Sequence, residues 1–215
     1  ETSMMAVNHA KEHPWCYAVV GFHPHEAKDM GDMELAMIKG LAKKDKVQAI
    51  GEIGLDYHWP EDTDKEKQKY WFERQMALAE ELGKPVSIHS RDAMADTMEI
   101  LRKFPGVVGV MHCYAGSYHT MRELVEMGYY IALGGVVTFK NARLSKEVAQ
   151  HVPLERLLIE TDCPYLAPHP HRGECNHSGY LEYTARTIGE LHGLTGEEVA
   201  KITAENAAEF FGIQV

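Results

Sequence analysis

Short, nearly unbroken apolar runs alternate along this chain with longer stretches whose apolar residues recur every three or four positions. The runs fall at residues 16–22, 47–52, 85–89, 107–112, 129–134 and 157–162. Helical patterns follow them. In residues 32–44, Leu35, Ile38 and Leu41 stand three apart, and in the stretch reaching Leu82, Trp71, Met76, Ala79 and Leu82 share a face. Further helices are predicted at 92–103, 118–127, 145–151 and 180–191, then at 196–202 and 204–211. Thr195, with Glu198 three residues on, has the spacing of a capping box. Gly83 closes one helix and Pro85 opens the next strand. A polar loop is expected from Pro60 to Asp64, and a solvated acidic face at residues 61–66.

Continuous apolar strands, each followed by a helix, mean a parallel sheet covered by helices, hence an α/β fold. Six strand–helix units can be counted without a linker or low-complexity stretch, so residues 1–215 read as one domain. A TIM-type (β/α)8 barrel needs eight units and typically about 250 residues. The chain opens in a helical stretch, residues 2–12, that ought to follow a strand. The expected shortfall is therefore at the N-terminus.

Four of the runs end on groups that bind divalent metal: Glu52, His89, His112 and Asp162. Parallel α/β folds gather their ligands at the carboxyl ends of strands. A lone histidine there is most often a hydrogen-bonded structural residue. A carboxylate between Ile50-Gly51 and Ile53-Gly54 needs a compensating charge, from a metal or an arginine. Together the four tips point to a metal site. Nitrogen and carboxylate donors suit Zn, Mn, Fe or Mg alike. Glu52 could bridge two ions, and Asp162 could bind one and take a proton from the attacking water. Metal brings the pKa of bound water toward ~7, so hydrolysis needs no activated Ser or Cys.

Composition changes the picture in three places. No apolar stretch approaches the ~20 residues of a membrane span, and the first residues do not read as a signal peptide. The four cysteines form no C-x-x-C pair, which fits reduced thiols in the cytoplasm; Cys113 and Cys163, next to His112 and Asp162, are expected to pack on the opposite strand face. The net charge of −10 excludes a protein held on nucleic acid by a broad basic surface. It leaves room for a local grip on a strand end, with metals supplying positive charge.

The strings Gly51-Glu-Ile-Gly-Leu-Asp56-Tyr57, Ile88-His89-Ser-Arg91-Asp92, Met111-His112-Cys-Tyr-Ala-Gly116-Ser117 and Ile159-Glu160-Thr-Asp162-Cys-Pro164-Tyr165-Leu166-Ala-Pro168 resemble the successive signatures of the TatD family of metal-dependent hydrolases. Gly21-Phe-His23-Pro24-His25 and Glu205-Asn206-Ala-Ala-Glu-Phe210-Phe211-Gly212 fit the same family, in order along the whole chain. The resemblance implies a (β/α)8 barrel, amidohydrolase-like, that hydrolyses phosphodiester bonds of DNA. It makes Glu52 the bridging ligand, gives His89 and His112 to one metal, and gives Asp162 to the other metal and the water. His23 falls at a substrate-phosphate contact. Arg91, Lys140, Arg143 and Arg172 follow strand tips where phosphates could lie, although exposed helix starts explain basic residues equally well.

Two departures stand out. The family's first strand ends in a His-x-His pair that ligates the Asp162-side metal, and no such pair precedes Glu1; the first histidine is His9, in the helical stretch. The loop after Asp162 reads Arg172-Gly-Glu-Cys-Asn-His-Ser178 where the family often has an Asn-Glu-Pro run. Tyr57, Trp59 and Tyr114 are expected to pack or anchor loops rather than stack on bases. Asp56 would either orient a ligand or cap its turn.

The expectation is thus a cytoplasmic TatD-like deoxyribonuclease, an exonuclease acting on single strands or strand ends. The complete site would hold two divalent ions (Zn, Mg or Mn), the second bound weakly by this chain's own ligands. The same site would also suit a small ester, amide or phosphate ester, and a chain short of two strands would instead need a partner.

Overall fold

The computed structural model describes residues 1–59 and 64–214. Most of the expected polar loop at 60–64, and part of the acidic face at 61–66, lie outside the described residues. The chain divides into two compact units, Glu1–Val110 and Met111–Val215.

The first unit contains α1 (Thr2–Glu12), β1 (Ala18–Val20), α2 (Asp32–Ala42), β2 (Val47–Asp56), α3 (Lys65–Leu82), β3 (Val86–Arg91) and α4 (Met94–Arg102). β1, β2 and β3 are parallel neighbours, with Val20 beside Ile50, Ile53 beside Ile88 and Gly54 beside His89. The Val86 N–H donates to the Val108 carbonyl at 3.1 Å. Val20, Ala49, Ile50, Ile53, Leu55, Val86 and Ile88 are fully buried, as strands covered on both faces require. Trp71, Met76 and Ala79 bury the face of α3 that the pattern predicted, and Gly83 ends that helix at φ 61°.

β4 (Gly109–Met111) crosses the unit boundary. The second unit then contains α5 (Tyr118–Glu126), β5 (Tyr130–Leu133), α6 (Arg143–His151), β6 (Leu157–Ile159), α7 (Leu181–His192) and α8 (Gly196–Phe211). β5 and β6 are parallel, with Ile131 beside Leu157 and Leu133 beside Ile159. The Tyr114 N–H donates to the Ala132 carbonyl at 3.0 Å. Asn206 Nδ2 donates to the carbonyls of Leu154 and Leu157, at 2.7 and 2.8 Å, and so ties α8 to the start of β6.

The elements stand in the predicted order, with several corrections. Residues 196–211 are one helix rather than two, because Val199, Thr203, Asn206 and Phe210 form a single buried stripe. The Thr195–Glu198 capping box is present. β2 and β3 run on past Glu52 and His89, which therefore sit inside their strands. β4 and β6 stop at Met111 and Ile159, so His112, Glu160 and Asp162 lie just beyond the strand tips. Cys113 and Cys163 consequently leave the strand alternation: Cys113 is half-buried and Cys163 exposed rather than packed in the core. Among the described residues no helix is long and apolar enough to cross a membrane.

Candidate metal centre

Glu52 and His89 meet in the first unit because β2 and β3 approach unusually closely. A Cβ on Gly51 would come within 2.7 Å of Ser87 Cβ, and one on Gly54 within 1.9 Å of the His89 carbonyl oxygen. Gly54 also has φ 141°, a conformation that side chains rarely tolerate. The Gly-Glu-Ile-Gly string is the condition for this contact.

Both ring nitrogens of His89 face carboxylates. Nδ1 lies 2.9 Å from Glu52 Oε1, and Nε2 lies 2.9 Å from Asp56 Oδ2. Asp56 is 1% exposed, accepts from the His58 N–H at 3.0 Å and faces His25 Nε2 at 3.1 Å. Burial works to raise the Asp56 pKa, but the His58 N–H and the hydrogen bond and charge of His89 outweigh it and hold the carboxyl down. Burial works to lower His89, and Glu52 and then Asp56 overcome it, so that imidazole is raised. His23 packs edge-on against His89, their ring centroids 4.5 Å apart. Burial, and then the neighbouring His89 charge, push His23 down to about 4. Its Nδ1 accepts the His25 N–H at 3.3 Å, so the neutral ring carries its proton on Nε2.

The second unit repeats the construction. His112 Nδ1 lies 2.7 Å from Glu160 Oε2, and Nε2 lies 3.7 Å from Asp162 Oδ1. The other Glu160 oxygen is buried without a hydrogen-bond partner. In each unit one ring nitrogen rests on a sheltered carboxylate and the other faces a more open one, for Asp162 is 41% exposed and Glu52 33%. A sheltered carboxylate on one nitrogen is the usual way of fixing the tautomer and orientation of a metal-ligating histidine.

The donors fit a divalent metal. Two ligand atoms ~2.0–2.1 Å from a tetrahedral ion stand roughly 3.4 Å apart, and the Glu52–His89 and His112–Asp162 separations fall on either side of that value. His23, Asp56 and His89 also offer three donor atoms within 4.8 Å of one another. Asp56 is already satisfied by three donors there, so the open Nδ1 side of His89 is the better ion position.

The remaining sequence candidates are placed as follows. His23 joins Glu52 and His89 in the first unit. Arg91 is exposed at the end of β3. The Arg172 guanidinium lies over the Phe139 ring, 3.8 Å from its centroid. The Tyr57 hydroxyl donates to Asp96 at 2.7 Å and the Tyr114 hydroxyl to the Ser117 carbonyl at 2.8 Å, so both anchor loops. Asp56 both caps its turn and orients His89. Sequence reasoning gave Glu160 no role; its signal was its place two residues before Asp162, which puts both on one side of an extended chain.

The family model for TatD related DNase matches residues 1–212. The chain belongs to the TatD family. It is 48% identical over 214 residues to the metal-dependent hydrolase YabD of Bacillus subtilis (strain 168), covering 99% of this chain and 84% of YabD. It is 34% identical over 220 residues to the 3'-5' ssDNA/RNA exonuclease TatD of Citrobacter rodentium (strain ICC168), covering 98% and 82%. Among solved structures, the TatD homologue YJJV of Escherichia coli K12 superposes with a TM-score of 0.91 at 27% identity, over 98% of this chain and 82% of that one. The fold is that of the TatD TIM-type barrels, with about six of the eight strand–helix units in this chain. The protein is a metal-dependent hydrolase of the TatD family.

Proposed function

We propose that this TatD-family chain, read as a single hydrolase domain, is a cytoplasmic exonuclease that hydrolyses phosphodiester bonds in single-stranded DNA or at strand ends. The observation that carries the reading is the paired construction at His89 and His112, each imidazole held by a sheltered carboxylate and turned toward an open one. It stands in a chain matched almost end to end by a DNase family and similar over 98% of its length to a protein named as an ssDNA/RNA exonuclease.

In this reading Glu52, His89, His112 and Asp162 are the metal ligands. These ligands would hold two divalent ions of the Zn, Mg or Mn type. When bound, such a metal supplies a nucleophilic water at neutral pH and positive charge for the phosphate oxygens. Asp162 takes the proton of the attacking water on its exposed carboxylate, and Glu52 holds the charge balance at His89. Asp56 and Glu160 keep the two imidazoles in the tautomer that leaves a ligating nitrogen. His23 donates from Nε2 to a substrate phosphate, and Arg91 and Arg172 offer guanidinium groups to others.

The test is nucleotide release from 5'- and 3'-labelled single-stranded oligonucleotides by protein loaded with Mg2+, Mn2+ or Zn2+. Release under at least one metal, abolished by Asp162→Asn, is expected. No release from DNA under any of the three, alongside hydrolysis of a small phosphate ester, would overturn the nuclease reading while leaving the hydrolase intact.

A further inference from the structure

The last turn of α1 carries a separate group of metal-binding side chains. His9, Glu12 and His13 follow H-x-x-E-H spacing, so Glu12 and His13 both stand about one helical turn beyond His9. Two imidazoles and a carboxylate in this spacing recur on zinc-binding helices. Here each residue offers one ligand atom, and these atoms lie within 4.8 Å of one another. All three residues are exposed. Among the described residues no side-chain hydrogen bond or ion pair occupies the two rings or the carboxylate.

The local frame holds the group together. His13 ends α1 in extended backbone, and its N–H donates to the His9 carbonyl at 3.0 Å. Its ring stacks on Trp15, with centroids 5.2 Å apart and planes at 22°. One of the two imidazoles is thus already restrained. The Lys46 ammonium donates to the carbonyls of Ala10 (2.6 Å), His13 (2.5 Å) and Pro14 (3.1 Å), which fixes the turn that presents the cluster. That ammonium also satisfies one carbonyl in the last turn of α1 and adds positive charge nearby. A hard ion held mainly by electrostatics is therefore disfavoured, and the imidazole nitrogens decide which metal binds.

We propose that His9, Glu12 and His13 form a surface site for a first-row transition cation of the zinc class, distinct from the hydrolytic centre. Two neutral imidazoles and one carboxylate supply three ligands of a tetrahedral ion, with water as the fourth. The bound ion clips the end of α1 in place without touching the residues of hydrolysis. The site selects Zn2+, Ni2+ or Cu2+ over Mg2+, which prefers oxygen ligands.

The experiment is equilibrium dialysis of the full chain against Zn2+, with bound metal counted by elemental analysis. The wild-type chain is compared with a His9→Ala/His13→Ala double variant and with a His89→Ala/His112→Ala double variant. The α1 variant should lose one equivalent of zinc relative to wild type and keep its hydrolytic rate. The His89/His112 variant should retain the equivalent that the α1 variant loses. Cu2+ electron paramagnetic resonance gives a second readout that does not depend on the hydrolytic residues: coupling to imidazole nitrogens should be present in the His89/His112 variant and vanish when His9→Ala/His13→Ala is added to it. Equal zinc stoichiometry in the wild type and the α1 variant would overturn the proposal, as would the same loss on dialysis against Mg2+.

Discussion

His89 is set between an exposed carboxylate and a buried one, and the difference between the two assigns their tasks. Asp56, with three donors and almost no exposure, cannot reorganise around an incoming ion; Glu52 can. Glu160 stands to His112 as Asp56 does to His89. Asp56→Asn and Glu160→Gln should therefore each weaken divalent-metal affinity by roughly ten- to hundredfold, the usual effect of losing an outer carboxylate partner, as measured by competition with a chromophoric chelator. Circular dichroism should show the fold intact in Glu160→Gln. His23 contributes a neutral Nε2–H donor. A hydrogen bond to a charged phosphate is worth about 1.5–3 kcal/mol, so His23→Ala should lower kcat/KM on single-stranded DNA roughly ten- to hundredfold with zinc stoichiometry unchanged. Glu52, His89, His112 and Asp162 were legible in the sequence because a carboxylate or imidazole at the end of an apolar run demands explanation. Glu160 was hidden inside its own string, and only the geometry separates its work from that of Asp162.

At the level of elements, the site depends on how closely β2 and β3 pack. Gly54→Ala would drive a Cβ into the His89 backbone and force a side chain into a region closed to it. It should destabilise the fold by at least ~3 kcal/mol and lose metal binding as Glu52 and His89 part. Gly83→Ala is the control. Its φ of 61° is also left-handed, but a Cβ there meets open space, so the cost should be only about 1 kcal/mol. Urea denaturation of the two variants separates a steric requirement from a conformational one. Element order, the cap at Thr195 and the apolar face of α3 could be read from periodicity because each depends on neighbours in sequence. Strand ends could not. Whether β2 stops at Glu52 or continues to Asp56 is decided by its pairing with β3, as in Asp56 beside Arg91, and pairing between distant residues leaves little trace in one strand's own pattern. The single α8 was misread for a related reason: Thr203 looks like a break in polarity, yet its hydroxyl bonds back to the Val199 carbonyl at 2.9 Å within the helix.

For the molecule as a whole, the net charge of −10 constrains how a nucleic acid can be held. Each phosphate neutralised on a single strand contributes a slope of about −0.7 to the dependence of log K on log salt. His23 is neutral in this reading, which leaves Arg91 and Arg172 as the cationic contacts and a total slope of about 2 × −0.7, or −1.4. Fluorescence anisotropy of a labelled single strand with the Asp162→Asn variant, between about 50 and 200 mM salt, measures it. Arg172→Ala should reduce the slope by about 0.7. Before it can reach a phosphate, that guanidinium must leave the Phe139 ring. Phe139→Ala should therefore free Arg172 and change affinity without changing the slope, since the number of neutralised phosphates stays the same. A slope steeper than about −3 would mean that phosphates are met by a basic surface the chain's composition does not suggest. A shallow slope would instead place most of the substrate's charge compensation on divalent ions held by the carboxylates and imidazoles, which is how an acidic hydrolase can act on a polyanion.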